Sequence, residues 1–421
     1  MTQITANDLR PAVANLQRTA RIVGVIAAVL VVIGYFTTGA QALQSYLFGY
    51  FLFLVVALGG LFVLMLESVT DGVWGLIIRR HLEAVALTIP VMAALFIPIA
   101  LTVVLGNPDL FPWLSAEYIK KHPVVEAKLA YLNPPFWLIR ALIAFAVWSY
   151  LAIAMRRLSD IRDRTGDLLV RNRMRRLAGP GILAFMLTWM VAATDWGMSI
   201  EPEWFSSMFP VTFVLAMLVA TMASSIVVMT MLTRRNLLPF KIPTDRLHDL
   251  GKLLFAFVIV WSYINFSQFL IIWAGNIPEE TPWYYYRLNH GWEVIGIALM
   301  LGHFFIPIFL LISREAKRNT GFLTGVAIFL LVVETLFVFW QIMPSYHRDA
   351  ISVSWLDFVA PVAVGGIWLS FYLGNLASRP LLPTTDARLA LLEAQQRGGH
   401  GHGSHTAADH GRADAHGEAH V

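Results

Sequence analysis

Residues 45–67 read SYLFGYFLFLVVALGGLFVLMLE, a stretch in which the only charged residue is the last. A run of this length spans the hydrocarbon core of a bilayer, roughly 30 Å thick, when it forms an α-helix. Lipid offers no hydrogen-bond partners to an open backbone, so a helix is the expected form of such a segment. The stretch therefore predicts a transmembrane helix.

Similar apolar runs recur along all 421 residues, of which 57% are hydrophobic and 14% charged. Soluble chains carry roughly a quarter charged residues, so this composition excludes an ordinary soluble domain. Alternating strands of about ten residues, which would mark a membrane β-barrel, do not occur. The sequence predicts an all-α integral membrane protein with transmembrane helices at 20–38, 45–67, 84–106, 135–155, 177–199, 205–232, 250–274, 289–313, 321–343 and 355–377.

The distribution of basic residues predicts the orientation of these helices. If the N-terminus is cytoplasmic, 24 of the 31 lysines and arginines fall in cytoplasmic segments and five fall in outside loops. Cytoplasmic loops of membrane proteins are enriched in these residues, so both termini are predicted to be cytoplasmic. The net charge of +4 comes mainly from residues that flank the spans. It therefore does not predict a nucleic-acid partner.

The chain divides into three parts by composition. Residues 1–19 are a polar cytoplasmic segment without the features of a cleavable signal peptide, and residues 20–380 form the ten-helix transmembrane domain. Residues 381–421 are a cytoplasmic tail rich in Gly, Ala, Asp and His, which we expect to be disordered. The six histidines of this tail leave metal binding open, although no spacing among them fixes a geometry, and a solvated tail is the favoured interpretation.

Two outside loops resemble each other, which predicts an internal repeat. Pro112-Trp113 leads to Asn133 and Trp137 at the start of the fourth span, and Pro282-Trp283 leads to Asn289 and Trp292 at the start of the eighth. Spans 2–5 and 6–9 would then be two four-helix bundles, with spans 1 and 10 flanking them. The tryptophans of these loops are also typical of an aromatic belt at the lipid headgroups.

The chain offers few ligands for a redox cofactor. It has no cysteine, which excludes thiolate-bound iron–sulfur clusters and covalently attached c-type haem. Among the predicted spans only His303 lies deep within a helix, so a haem held between two histidines is not expected. No phosphate-binding loop or nucleophile motif is evident either.

Two pairs of ionisable residues fall at matching depths on neighbouring antiparallel helices. Arg140 and Asp195 lie near the outer ends of spans four and five, where they could form an ion pair. His303 and Glu334 lie near the middle of spans eight and nine. An imidazole and a carboxylate at this depth are what a proton path requires, because both change charge near neutral pH.

Charged residues at the helix ends could extend such a path in both directions. Asp249, Lys252, Glu67 and Glu83 lie at inner ends, and Glu293 and Asp357 lie at outer ends. Together they predict an inner and an outer half-path that meet near His303 and Glu334. The alternative is that these end residues face water or headgroups and carry no proton.

Several stretches resemble one known family. These are TDWGMSIEPEWFS at 194–206, GKLLFAF at 251–257, WSYINFSQ at 261–268, IWAGNIPEE at 272–280 and LISREAKR at 311–318. They are similar to the ActF subunits of bacterial alternative complex III, which are related to the NrfD-like, polysulfide-reductase-type membrane subunits. The resemblance covers residues 20–380, and the tail lies outside it.

This resemblance implies a subunit of a quinol:electron-acceptor oxidoreductase in the cytoplasmic membrane of a bacterium. Its partners would be the ActC paralogue and the multihaem and iron–sulfur subunits, which carry the c-type haems and clusters, together with membrane lipids. The acceptor would be cytochrome c or a copper protein, in a respiratory or photosynthetic chain. The resemblance implies no cofactor and no catalysis in this subunit alone, but a proton route or a role in assembly, and it leaves quinol binding here open.

Two other functions remain compatible with the sequence. A secondary transporter acting alone could have ten spans, internal repeats and prolines within helices, such as Pro90, Pro98, Pro307 and Pro361. A purely structural membrane scaffold would need none of the buried ionisable residues. Purification behaviour distinguishes the transporter from a subunit of a complex, and substitution of Glu334 distinguishes a proton route from a scaffold.

Overall fold

The protein is described by a computed structural model that covers residues 6–238 and 242–382. These residues form helices and connecting turns, and no β-strand occurs among them. Apart from residues 381 and 382, the predicted histidine-rich tail lies outside the described residues. The prediction of an all-α chain is confirmed.

Among the described residues, ten helices are long and apolar enough to span a membrane, which confirms the ten predicted spans and indicates a multi-pass membrane protein. They are α1 Leu9–Thr38, α2 Ala40–Thr70, α3 Trp74–Val104, α4 Pro134–Thr165, α5 Leu169–Ile200, α6 Phe209–Arg234, α7 Thr244–Gly275, α8 Trp292–Ile312, α9 Thr320–Ser345 and α10 Leu356–Leu376. Because the helices alternate in direction, α1 begins on the side where α10 ends. We call this side the basic side, after its arginine-rich loops, and the opposite side the aromatic side.

The helices form two four-helix bundles. In bundle A, α2 packs on α3, α3 on α4, α4 on α5 and α5 back on α2. In bundle B, α6, α7, α8 and α9 close a second ring in the same way, and α6 packs against α2 to join the bundles. Helices α1 and α10 pack on each other and on α2. The predicted division into two bundles with two flanking helices therefore matches the contacts.

Close helix contacts in this flanking pair depend on glycine. A Cβ atom on Gly24 of α1 would lie 2.7 Å from the backbone nitrogen of Ile367, and one on Gly366 of α10 would lie 2.6 Å from the Cα of Gly24. Small residues let the backbones of membrane helices approach closely. Because the hydrophobic effect does not drive helices together within lipid, this close van der Waals packing contributes to their association. The exposed side chains of α1, such as Val25, Ile26 and Phe36, are apolar and suit contact with lipid.

Prolines interrupt α3 but leave its direction intact. It consists of the segments Val73–Ala86, Ile89–Leu95 and Ile97–Val104, and the second and third segments carry Pro90 and Pro98 in their first turns. Proline lacks a backbone N–H and is tolerated at the start of a helix, so each new segment begins where an unbroken ladder would fail. The matching helix of bundle B, α7, runs unbroken from Thr244 to Gly275.

The loops on the aromatic side repeat their geometry in the two bundles. The indole N–H of Trp137 donates to the carbonyl of Asp195 at 3.0 Å, and that of Trp292 donates to the carbonyl of His347 at 2.8 Å. Each tryptophan opens the third helix of its bundle and bonds to the outer end of the fourth. The side-chain amide of Asn133 bonds the carbonyl four residues earlier, and that of Asn289 does the same. These equivalent bonds confirm the repeat that the sequence indicated.

Candidate functional site

A π-helical turn at Met300–Phe305 carries His303 in the middle of α8. Pro307 follows this turn and cannot donate to the carbonyl of His303, four residues earlier, so the regular hydrogen-bond ladder is already interrupted at this depth. Such π turns inside α-helices occur frequently at functional sites. Gly302 lets α8 approach α9, since a Cβ atom at this position would lie 3.1 Å from a methyl group of Val333.

His303 and Glu334 form a buried pair in bundle B, as the sequence predicted. The imidazole Nε2 and the carboxylate Oε1 lie 2.8 Å apart, and the side chains are 0% and 2% exposed. The ring of Trp261 on α7 stacks on the imidazole with a centroid distance of 3.6 Å and an angle of 10°. The pair is therefore fixed by three helices in the centre of the bundle.

Each member of this pair keeps one polar atom without a protein partner. Among the described residues, neither the Nδ1 of His303 nor the Oε2 of Glu334 has a hydrogen-bond partner. Buried polar groups are normally satisfied, and ordered water commonly supplies the missing partner. A histidine and a glutamate in contact can pass a proton between them, and their free atoms can exchange it with water.

Further unpartnered polar atoms continue from this pair toward the aromatic side. On α7 they are the Nε1 of Trp261 and the Nε2 of Gln268, and on α9 the Oε1 of Gln341 follows Glu334. Residues seven apart share one face of a helix and are separated by about 10 Å along it. Because α7 and α9 run in the same direction, the two glutamines lie at one level beyond the pair. We call these atoms, with those of His303 and Glu334, the polar column.

Arg287 covers the aromatic end of the polar column. Its side chain is 0% exposed, and its guanidinium donates to Glu201 at 3.1 Å and to the carbonyl of Gln341 at 2.9 Å. Further bonds go to Ser345 and to the carbonyls of Trp283 and Trp340, and the guanidinium lies 3.6 Å from the centre of the Trp283 ring. Burial lowers the pKa of Arg287 to about 10 against the opposing effect of Glu201, so the group is charged at neutral pH.

Neither this arginine nor its partner was predicted to lie in a site. In the sequence Arg287 is one of the five basic residues of the outside loops and Glu201 is part of a family motif, although the two form a buried ion pair in the described chain. The predicted aromatic belt is wrong for Trp113 and Trp283, which are buried and do not face lipid. Composition cannot distinguish an aromatic residue at the headgroups from one packed inside an outer loop.

The predicted pair of Arg140 and Asp195 is also present, at the aromatic end of bundle A. The guanidinium donates to both carboxylate oxygens, at 2.6 Å and 2.9 Å, and also to the carbonyl of Tyr131 at 3.0 Å. The rings of Tyr131 and Phe136 cover the guanidinium. Such bidentate geometry fixes two helices firmly. Since the pair belongs to bundle A, it lies outside the polar column of bundle B.

Glu67 and Glu83 lie at the basic end of the protein, as predicted, and each has an arginine partner. They belong to an ion-pair cluster at the basic end of bundle A, where Arg79 lies 3.4 Å from Glu67 and Arg80 lies 3.0 Å from Glu83. Arg379, just after α10, lies 2.5 Å from Glu83. Because Glu67 belongs to α2 and Glu83 to α3, the predicted inner half-path from these glutamates to His303 would have to cross from bundle A to bundle B.

The remaining predicted residues occupy the helix ends. Asp249 and Lys252 pair at 3.2 Å on α7, at the basic end of bundle B. Glu293 accepts a bond from the backbone N–H of Gly291 at 2.8 Å and so stabilises the start of α8. Asp357 accepts a bond from Ser45 at 2.5 Å and links α10 to α2, away from the polar column.

A second buried histidine, His81, lies before the predicted start of the third span. The third span was predicted at 84–106, but α3 begins earlier and contains His81, whose Nδ1 lies 2.8 Å from the hydroxyl of Tyr372 on α10. His81 and His303 thus belong to different bundles. Within the described ranges, no group of three or more His, Cys, Asp or Glu side chains could hold a metal ion.

In comparisons with known proteins, no family model and no curated protein matches the chain.

Proposed function

We propose that this chain is an integral membrane subunit of a quinol:electron-acceptor oxidoreductase of the alternative complex III type, in which His303 and Glu334 relay protons. The observation that carries the proposal is the buried His303–Glu334 pair with one unpartnered polar atom on each side chain. A bundle that served only as a scaffold would gain more stability from apolar residues at these positions.

The polar column gives the proposed route a direction. From the pair, the unpartnered atoms of Gln268 and Gln341 extend toward the aromatic side, where Arg287 and Glu201 lie. Water molecules between these side chains would carry the proton, and the glutamines would orient them. Electron transfer in the complex belongs to the partner subunits, with their c-type haems and iron–sulfur clusters, and the resemblance described above supports this division.

The sequence kept a transporter acting alone as an alternative, and the helix interruptions do not favour it. Transporters with internal repeats tend to break corresponding helices in the two halves. Here the proline breaks lie in the second helix of bundle A and the π turn lies in the third helix of bundle B. The interruptions therefore occur at non-equivalent positions of the repeat.

The assembly is tested by mild detergent extraction of the tagged chain, followed by an absorption spectrum of the purified material. We expect a reducible c-type haem spectrum, with haem-containing partner bands, because this chain has no cysteine to attach such haem. A colourless preparation containing only folded copies of this chain would overturn the assignment to a redox complex and favour transport.

The proton relay is tested by Glu334→Gln in the assembled complex, with Asp357→Asn as the matched control. Both substitutions remove a buried carboxylate, but only Glu334 contacts His303. We expect proton release coupled to quinol oxidation to fall at least about tenfold in Glu334→Gln, the scale of a lost proton-transfer group, and to persist in the control. Unchanged proton release in an intact Glu334→Gln complex would show that the pair is structural.

A further inference from the structure

A cavity of about 550 Å³ opens at the basic end of bundle B. One wall is the first two turns of α7, and the other is the short helix Arg314–Arg318 between α8 and α9. The lining side chains are all charged or titratable: Asp245, His248, Asp249, Lys252, Arg314 and Lys317. This cavity lies on the opposite side of the His303–Glu334 pair from the polar column, and the proposed function makes no use of it.

Both carboxylates of the cavity are already neutralised. Asp249 pairs with Lys252 at 3.2 Å and with Arg246 at 3.5 Å, and Asp245 pairs with Arg318 at 3.0 Å. Neither carboxylate therefore needs a bound cation. Because both carboxylates already have basic partners, they do not neutralise the other basic side chains of the cavity.

The remaining basic side chains form no ion pair among the described residues. The side chains of Arg314 and His248 make no hydrogen bond there, although His248 lies near Asp249 as well as near Lys252, Lys317 and Arg314. Lys317 is buried and donates to the carbonyl of Leu311 at 2.6 Å, which ends α8 but does not neutralise the ammonium group. Burial and the neighbouring Lys252 lower the pKa of Lys317. The repulsion between these basic groups would be relieved by an anion.

The position of the cavity indicates which anion it meets. Phe309 and Ile312, in the last turn of α8, are 73% and 66% exposed, so the apolar outer surface of bundle B continues up to the cavity. Arg314 and Lys317 follow within one and a half turns. A ligand with an acyl chain along α8 and a phosphate at Arg314 would match both features, and basic pockets at this level of membrane proteins bind anionic lipid headgroups.

We propose that this cavity binds the phosphate group of an anionic phospholipid through Arg314, Lys317 and His248. Inorganic phosphate shares the recognised chemistry but lacks the acyl chains that Phe309 and Ile312 would contact. The bound lipid would lie where α7 meets the end of α8, which is the helix that carries His303. This role is independent of the proton relay.

The test is a thermal-unfolding titration of the purified full-length chain in uncharged detergent. The probes are short-chain phosphatidylglycerol, phosphatidylcholine of the same chain length and inorganic phosphate. The test variant is Arg314→Gln. Its matched control is Arg175→Gln, which removes an exposed arginine of the basic side in bundle A. A third variant, Asp245→Asn, removes a carboxylate of the cavity.

We expect phosphatidylglycerol to stabilise the wild-type chain and Arg175→Gln equally, with an apparent affinity at least tenfold weaker in Arg314→Gln. Asp245→Asn should bind more tightly, an opposite change that a general loss of stability would not produce. Equal stabilisation by phosphatidylcholine, or an unchanged affinity in Arg314→Gln, would overturn the proposal. Saturation by inorganic phosphate at the same concentration would show a free-phosphate site instead of a lipid site, which also overturns it.

Discussion

Bundles A and B share one backbone plan but place different side chains at its centre. Eleven residues after Trp137, bundle A has Trp148, whose indole N–H donates to the hydroxyl of Thr188 on α5 at 2.9 Å. Eleven residues after Trp292, bundle B has His303, which bonds Glu334 on α9. In both bundles a ring on the third helix is tied to the fourth, but only bundle B uses groups that can exchange a proton.

The surroundings of Trp148 and His303 also differ in how many ionisable groups they contain. Trp148 lies in a continuous aromatic cluster with Phe145, Phe185, Trp189 and Trp196. Its own N–H is satisfied by Thr188, and the unpartnered polar atom in this cluster is the indole N–H of Trp196, which does not change charge. The His303 site retains unpartnered polar atoms on several side chains. One scaffold thus places an aromatic cluster at the centre of bundle A and a buried imidazole–carboxylate pair at the centre of bundle B.

The strongest test of this comparison concerns the aromatic ends. Arg287→Met would leave Glu201 buried without its main partner and remove five hydrogen bonds, so we expect a loss of about 3–5 kcal/mol in unfolding free energy. The measurement is denaturant-induced unfolding in mixed micelles. As a control, the double substitution Arg287→Met/Glu201→Gln should recover part of the loss. Unchanged stability of the single variant would show that the outer ends of bundle B are not held by this arginine.

Arg140→Met tests the equivalent end of bundle A. Asp195 would lose a bidentate partner, although Arg140 is slightly less buried and makes fewer bonds than Arg287. We expect a loss of about 3 kcal/mol, since a buried carboxylate is left uncompensated. Proton release in the complex should be retained in this variant if the relay belongs to bundle B alone. Loss of proton release from a folded Arg140→Met complex would extend the route into bundle A.

The sequence predicted the spans and two of the buried pairs because both depend on local information. Apolar runs report helix length, and Arg140 with Asp195 and His303 with Glu334 fall at equal depths on consecutive helices. Arg287 and Glu201 are separated by two spans and their loops, so no local pattern joins them. The predicted half-path through Glu67 rested on depth alone, although the predicted repeat places Glu67 in the first bundle and His303 in the second. The spacing of Arg79 and Arg80, four and three residues before Glu83, was the local signal for an ion-pair cluster there.

The central rings allow a finer comparison. Glu334→Ala would remove the partner of a buried imidazole nitrogen, and Thr188→Ala would do the same to the indole N–H of Trp148, so each should cost about 1–3 kcal/mol. The two should differ in pH dependence. The cost of Glu334→Ala should depend on pH, because the substitution removes one member of an ionisable pair, whereas that of Thr188→Ala should stay constant, because neither a hydroxyl nor an indole changes charge. Parallel pH profiles would remove the chemical distinction between the two bundles.

The smallest expected effects concern the repeated loop asparagines. Asn133 accepts a bond from the backbone N–H of Phe136 and caps α4, so Asn133→Ala should cost about 1 kcal/mol. Asn289 keeps the bond to the carbonyl four residues earlier, but α8 has Gly291 at its cap, so Asn289→Ala should cost only about 0.5 kcal/mol. Unfolding midpoints of the two variants, measured side by side, report the difference. If Asn289→Ala lost as much stability as Asn133→Ala, or more, the capping bond of Asn133 would contribute no extra stability to bundle A. The equivalent loops would then stabilise the two bundles in a different proportion from the one that their hydrogen bonds predict.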